Sequence, residues 1–143
     1  SLFTYFDKMG CDITPHIRGK GDQGLDDIFV TLDGNGRINR NVGPIFHEAK
    51  YNGRCQLLLN HTATICDQLS RPWIQHNLKT TTVEFQFPDN NDIEVRSCSK
   101  CDRQFLRDVA WIKTQFETGN FSRTASVLCA NGNLKFYRVT SKK

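Results

Sequence analysis

The chain has 143 residues, of which 38% are hydrophobic and 10% aromatic, and its formal net charge is +4 at pH 7. This length is typical of one domain, and the aromatic content excludes an intrinsically disordered chain. No apolar run reaches the roughly 18–20 residues that cross a bilayer. We therefore expect a single domain over residues 1–143 and no membrane span.

The first third of the chain predicts a short helix, a strand and a tight turn. Apolar residues share one helical face over residues 2–10, and Gly10 is a suitable helix stop. A glycine-rich loop follows. Partial alternation then predicts a strand over 27–33, and Asn35-Gly36 favours a tight turn because both residues tolerate positive φ.

The middle of the chain predicts two pairs of strands separated by a helix start. Strands over 44–50 and 54–60 flank Asn52-Gly53, a two-residue hairpin pattern. Ser70 followed by Arg-Pro predicts a short helix with the serine as its cap. Residues 80–87 alternate between apolar and polar, which predicts a strand, and residues 93–95 continue as a second strand after a turn at 88–91.

The last third predicts a long helix and a C-terminal hairpin. The helix covers residues 100–118, with Gly119 as its stop. Its apolar stripe recurs at spacings of four, three and four: Phe105, Val109, Ile112 and Phe116. Strands over 125–130 and 133–140 flank Asn131-Gly132, and the alternation leaves the inward face of the second strand open.

These elements together predict an α+β fold. We expect one antiparallel sheet of four or more strands, with two or three helices packed mainly on one face and disulfides stapling the whole. The predicted strands alternate between apolar and polar residues and are not continuous apolar runs. This pattern argues against a parallel doubly wound sheet.

Cysteine content predicts the chemistry that stabilises this fold. Six cysteines are spread over most of the chain: Cys11, Cys55, Cys66, Cys98, Cys101 and Cys129. An even number in a small extracellular protein is typical of a disulfide framework, here of three bridges. The sequence does not choose among the pairings that keep Cys98 and Cys101 apart.

Two glycosylation patterns supply the extracellular context. Asn60-His61-Thr62 and Asn120-Phe121-Ser122 are both acceptor sequences for an N-linked glycan. The chain begins at Ser1 without a signal segment, which fits a mature product whose signal peptide has been removed. We therefore expect a secreted, extracellular protein.

Neither a metal, another cofactor nor a nucleic acid is predicted. The chain has a single CxxC and no histidine within four residues of a cysteine, so a zinc site lacks its ligands. Residues 33–38 resemble the middle of a calcium loop, but Val42 stands where the bidentate carboxylate is needed, which favours a turn. The following charges interleave, which predicts a solvated surface rather than a nucleic-acid interface: Lys100, Asp102, Arg103, Arg107, Asp108 and Glu117.

Two enzymatic alternatives stay open. Cys98-Ser-Lys-Cys101 at a helix start resembles a thiol-redox motif, although no proline follows it to pack beside the pair.

His47-Glu48, with Glu94 and Arg96 on another strand, supply the residue types of a small secreted ribonuclease. Adjacent residues of a strand point to opposite faces, however, so His47 and Glu48 would not share a site.

With six dispersed cysteines, an α+β pattern and no catalytic motif, the chain resembles the small secreted cysteine-rich effectors of plant-pathogenic fungi, of the Leptosphaeria avirulence type. The resemblance implies an antiparallel sheet covered by helices and stapled by disulfides. It also implies a monomeric, non-enzymatic virulence protein of the host apoplast, whose partner is a host protein or immune receptor. It assigns no functional residue beyond the six cysteines and the two candidate glycan sites.

Overall fold

The computed structural model describes residues 1–11, 25–59, 61–62, 66–86 and 100–140, with the backbone alone at 61–62, 66, 79–86 and 102. The helices in these ranges are α1 (Leu2–Asp7), α2 (Arg71–Gln86) and α3 (Lys100–Glu117). The strands are β1 (Asp27–Phe29), β2 (Ile45–Tyr51), β3 (His61–Thr62), β4 (Cys66–Asp67), β5 (Ser122–Leu128) and β6 (Leu134–Arg138).

Four of the strands form one sheet in the order β1-β2-β5-β6, and β3 pairs with β4 separately. The fold is therefore α+β, as predicted. The expectation of a purely antiparallel sheet is wrong, because β2 and β5 pair in parallel, with Phe46 opposite Arg123. The chain between them contains α2 and α3, and a long connection of this kind is what parallel neighbours require.

The predicted hairpin around Asn52-Gly53 does not form. A turn occurs there, with the Cys55 N–H donating to the Asn52 carbonyl at 3.0 Å, but residues 54–59 are not a strand. Both edges of β2 are already paired, with β1 on one side and β5 on the other. A strand returning over 54–60 would therefore have no edge of β2 to bond.

The strand predicted over 80–87 is also wrong, because its residues through Gln86 belong to α2. Ser70 caps this helix as predicted, accepting the Trp73 N–H on its Oγ at 3.4 Å. Trp73, Ile74 and Leu78 are buried at helical spacing. Once such a turn is formed, each further residue adds one hydrogen bond at little cost, so the helix extends through the alternating residues. The turn and strand predicted over 88–95 lie outside the described residues.

The strand predicted over 27–33 is shorter, because β1 covers only Asp27–Phe29. The predictions for α1, for the turn after β1, for α3 and for the C-terminal hairpin are confirmed. α1 ends before Gly10, and the Asn35-Gly36 turn brings Leu32 opposite Ile38 in an isolated bridge. α3 ends before Gly119, whose φ of +79° suits a residue without a Cβ. The C-terminal hairpin pairs β5 with β6.

One cluster of buried side chains joins the helices to the sheet. The ring of Phe6 in α1 lies 5.7 Å from the ring of Phe105 in α3. The ring of Phe46 in β2 lies 5.9 Å from that of Phe116 at the other end of α3. The predicted apolar stripe of α3 thus contacts both its helical and its strand neighbours.

Two disulfides tie distant segments together. Cys11–Cys101 joins the chain after α1 to the start of α3, and Cys55–Cys129 joins the loop after β2 to the end of β5. Four of the six predicted disulfide cysteines are confirmed. Cys66 and Cys98 are the remaining two, and their bridge stays a prediction.

Candidate functional site

A cavity of about 570 Å³ lies between α1, the turn at 32–38 and the first half of α3. We call it the α1–α3 cavity. Its ionisable lining comprises four cations, a phenol and a carboxylate: Lys8, Arg37, Arg40, Lys100, Tyr5 and Asp108. Exposed apolar side chains stand beside these charges, with Met9 45% and Leu32 40% exposed.

α1 places Tyr5 in the lining, and the residues directly after this helix supply Lys8 and Met9. Ser1 caps the helix, its Oγ accepting the Thr4 N–H at 3.1 Å. Leu2 and Phe6 are fully buried, whereas Tyr5 is only partly buried and lines the cavity. The Cys11–Cys101 disulfide links two segments that line the cavity, because Cys11 follows α1 and Cys101 lies in the first turn of α3.

The turn at 32–38 places the arginines. The Asp33 carboxylate accepts the N–H groups of Asn35 at 2.8 Å and Arg37 at 3.1 Å. These bonds form an Asx turn, in which the Asp33 side chain bonds the main chain of its own loop, as the turn interpretation predicts. The main chain is therefore fixed immediately before Arg37 and, three residues later, Arg40.

Arg40 is held by a buried carboxylate. Its Nη2 donates to Asp108 Oδ1 at 2.7 Å, and its guanidinium carbon lies 5.0 Å from the centre of the Trp111 ring. Gln104 Nε2 donates to both oxygens of Asp108, at 3.2 and 3.1 Å. Burial raises the pKa of Asp108 above its ordinary value, and the bonds from Gln104 and Arg40 partly oppose that rise.

The cavity is strongly positive. Four cations against one carboxylate leave a net charge of +3 on the lining. Burial, followed by the charge of Asp108, raises the pKa of Tyr5 above 10.0, so its phenol stays a neutral hydrogen-bond donor at neutral pH. Guanidinium, ammonium and phenol donors are the groups that proteins use to bind carboxylates and phosphates. The arrangement is suited to binding an anion.

His47, the histidine of the ribonuclease hypothesis, lies buried in the sheet. Its Nδ1 lies 2.7 Å from Thr124 Oγ1 and its Nε2 lies 3.0 Å from Ser126 Oγ. Its ring centre is 4.6 Å from that of Phe29. Burial lowers the pKa of His47, partly opposed by nearby carboxylates. Because both ring nitrogens are bonded to β5, this histidine is positioned as a structural residue.

Glu48 does not join His47 in a site. It lies in the interior, where its Oε1 accepts the Asp26 N–H at 3.1 Å. Burial, reinforced by the negative charge of Asp26, raises the pKa of Glu48 to about 8. The two neighbours thus have separate partners, as strand alternation predicts. Glu94 and Arg96 lie outside the described residues.

The thiol-redox alternative loses its reactive pair. That interpretation needs Cys98 and Cys101 to bond each other, whereas Cys101 is bonded to Cys11. Groups of three acidic, histidine or cysteine side chains that could hold a metal are absent from the described ranges. Within the same ranges, no helix is long and apolar enough to cross a membrane.

Asn120, one predicted glycan site, is exposed immediately after α3. Its Nδ2 donates to Gln115 Oε1 at 2.7 Å. The other site, Asn60, lies outside the described residues. Glycosylation of Asn60 and Asn120 stays a prediction.

Sequence reasoning missed the α1–α3 cavity. It placed Asp108 on a solvated surface, which is wrong, because Asp108 is only 1% exposed. Its spacing carried a usable indication, since it stands three residues after Phe105 and four before Ile112, on the buried side of α3. Nothing local indicated that Lys8 and Arg37 would meet this helix.

No protein-family model, no curated protein and no solved structure matches the chain.

Proposed function

We propose that the protein is an exported, non-enzymatic binding protein that recognises an acidic segment of a partner protein through the α1–α3 cavity. The observation that carries this proposal is the convergence of four cations, from three separate segments, on one cavity of about 570 Å³. In keeping with the resemblance to fungal effectors, the partner belongs to a host and is met in the extracellular space.

The disulfides support action outside the cell. Disulfides persist in oxidising compartments and are rare in the cytosol. The described part of the chain contains two, and one of them joins α1 to α3 beside the proposed site. A preorganised site of this kind avoids part of the ordering cost of binding.

The mixed lining supports a protein partner rather than a bare anion. Lys8, Arg37 and Lys100 supply exposed charge for acidic side chains. Met9 and Leu32 offer exposed apolar contact at the same cavity. An acidic segment with interspersed apolar residues meets both features. Arg40 is oriented by Asp108, and Tyr5 donates the neutral hydrogen bond.

Fluorescence anisotropy tests the proposal with two labelled peptides, one alternating Glu with Leu and the other Lys with Leu. We expect the acidic peptide to bind and the basic peptide not to bind. The double variant Arg37→Ala/Lys100→Ala should weaken acidic-peptide binding at least about tenfold, since each substituted side chain is an exposed part of the lining.

The matched control removes two exposed cations elsewhere, Arg54→Ala/Lys135→Ala, and should keep wild-type affinity. Equal weakening in both double variants would mean attraction to overall charge, and the proposal would then be wrong. Absence of acidic-peptide binding by the wild type would contradict it as well.

A further inference from the structure

The outer edge of β6 is unpaired within the described chain. β6 is the last strand in the order β1-β2-β5-β6, so β5 occupies only one of its two edges. All but one of its residues are exposed, with Phe136 68% and Leu134 52% exposed. An open strand edge is a template for pairing with another extended chain.

The hydrogen bonds between β5 and β6 determine which main-chain groups of β6 face outward. The Asn133 carbonyl accepts an N–H from the residue after β5 at 2.8 Å, and the Val139 N–H donates to a β5 carbonyl at 2.9 Å. Bonded and non-bonded residues alternate in an antiparallel pair. The N–H and C=O groups of Leu134, Phe136 and Arg138 therefore point away from β5. Within the described ranges, no hydrogen bond occupies these outward groups.

A second copy of β6 fits this edge best in one register. Antiparallel pairing about a two-fold axis sets Phe136 against Phe136 of the second copy, and Leu134 against Arg138 of the second copy. All three residues with outward groups are then paired, and each pair exchanges both of its N–H···O bonds. Registers centred elsewhere pair fewer of these residues. Centring on Lys135 or on Arg138 would also set two like charges directly opposite, which is destabilising.

The side chains of β6 are compatible with this register on both faces of the sheet. On one face the two Phe136 rings become cross-strand neighbours, and Leu134 lies beside the aliphatic stem of Arg138. On the other face Lys135 lies opposite Tyr137 of the second copy. Each strand still carries two positive charges. We therefore expect their repulsion to weaken the contact at low ionic strength and added salt to strengthen it.

Exposed apolar side chains continue inward from this edge. Leu128 of β5 is opposite both Leu134 and Tyr51, so these three side chains form one row on the face that carries Phe136. Their exposed fractions are 43% for Leu128, 52% for Leu134 and 69% for Tyr51. Contiguous exposed apolar side chains of this kind mark an interaction surface.

The size of the contact sets its strength. β6 has five residues, whereas a standard stable interface involves roughly 20–30 residues from each partner. Pairing through this one strand is therefore sized for a weak, reversible dimer whose population depends on protein concentration.

We propose that two copies of the protein associate through β6, antiparallel and centred on Phe136, so that their two sheets become continuous. A second copy is the occupant because the outward groups and the side chains of β6 are complementary to themselves in this register. The inference goes beyond the proposed function, since none of the residues that line the α1–α3 cavity belongs to β6. It replaces the monomer that the family resemblance implies with a monomer–dimer equilibrium.

Sedimentation velocity from about 1 µM to about 1 mM protein tests the dimer, because a small interface dissociates in this range. We expect the dimer fraction of the wild type to rise with concentration and with added salt. Phe136→Ala should weaken dimerisation at least about tenfold. Tyr51→Ala is the matched control, because it removes an aromatic ring of nearly equal exposure, 69%, from the same face but from β2. It should keep the wild-type equilibrium.

Hydrogen exchange at single amides, followed by NMR, tests the register. In dilute protein the N–H groups of Leu134, Phe136 and Arg138 should exchange quickly, because they face solvent. The Lys135 N–H should be protected at every concentration, because it faces β5. Raising the protein concentration should slow exchange at the three outward amides and leave Lys135 unchanged.

The inference is overturned if the wild type stays monomeric over the whole concentration range. Equal weakening by Tyr51→Ala and Phe136→Ala would indicate contact between sheet faces and would also overturn it. So would a dimer that leaves exchange at the three outward amides unchanged, or slow exchange of these amides in dilute protein, which would show that the edge is already covered. Success or failure of the acidic-peptide experiment leaves these expectations unchanged.

Discussion

The centre of the sheet and the α1–α3 cavity each contain a buried carboxyl group, and each neutralises it differently. Glu48 is 2% exposed and lies against another carboxyl residue, Asp26. Asp108 is 1% exposed and is bonded to the Arg40 guanidinium. Burial penalises the charged form at both positions, so both pKa values are raised.

The difference separates a structural region from the proposed binding site. Glu48 keeps its proton at neutral pH because its pKa is about 8, and the sheet centre thereby loses a charge. His47 beside it is bonded to hydroxyl groups of β5. In the cavity, a cation neutralises the carboxylate, and the remaining cations keep their charge for a ligand.

The largest expected effect tests the neutral state of Glu48. The pKa of Glu48 is 4.5 in the unfolded chain and about 8 in the folded protein. The contribution of its protonated form to stability is therefore complete below pH 4.5 and is lost as the pH rises to about 8. The loss amounts to roughly 4–5 kcal/mol. The Glu48→Gln variant cannot ionise at this position. Its free energy of unfolding, measured with urea, should therefore no longer fall over this pH range.

Glu117→Gln, an exposed change of the same kind on α3, should keep the wild-type pH dependence. Parallel pH profiles for the wild type and Glu48→Gln would show that Glu48 is ionised in the folded protein, and the comparison would fail.

The next effect tests whether a disulfide organises the cavity. Cys11→Ser/Cys101→Ser and Cys55→Ser/Cys129→Ser should each lower the free energy of unfolding by about 2–5 kcal/mol. Only the first pair joins α1 to α3, so only its loss should abolish acidic-peptide binding under conditions where both variants remain folded. Equal loss of binding in the two variants would separate the disulfide from the site.

A smaller effect tests the charge balance of the cavity. Asp108→Asn removes the carboxylate and leaves four cations unopposed by any acidic lining residue within the described chain. We expect the acidic peptide to bind roughly threefold more tightly in anisotropy measurements at low salt. Glu48→Gln should leave this affinity unchanged, since Glu48 lies outside the lining. Weaker binding by Asp108→Asn would indicate that orienting Arg40 matters more than net charge.

The smallest effect asks whether the covalent framework extends beyond Cys11–Cys101 and Cys55–Cys129. If Cys66 and Cys98 also bond, the native protein should weigh about 6 Da less than its reduced form, as three disulfides require. A difference of about 4 Da, with two thiols that react with iodoacetamide, would contradict the third disulfide.

Local sequence patterns predicted some elements well. The stripe through Phe105 and Ile112 gave α3, and Asn131-Gly132 gave the hairpin of β5 and β6, because each depends on neighbours only a few residues apart. The strand prediction for residues 80–86 was wrong, because their alternating pattern competes with a helix that is already capped at Ser70. The parallel pairing of β2 with β5 was not predictable, because it joins strands about seventy residues apart, and local periodicity carries no information on such contacts.

By itself, the sequence determined the cysteine count, the α+β class and the assignment of His47 and Glu48 to opposite faces, since these follow from composition and from the two-residue period of a strand. Only the tertiary structure decided which cysteines pair and which charges converge. Lys8, Arg37 and Lys100 meet because the core packs α1, a turn and α3 around one space. Such proximity depends on how whole elements bury their apolar faces, which no short segment records.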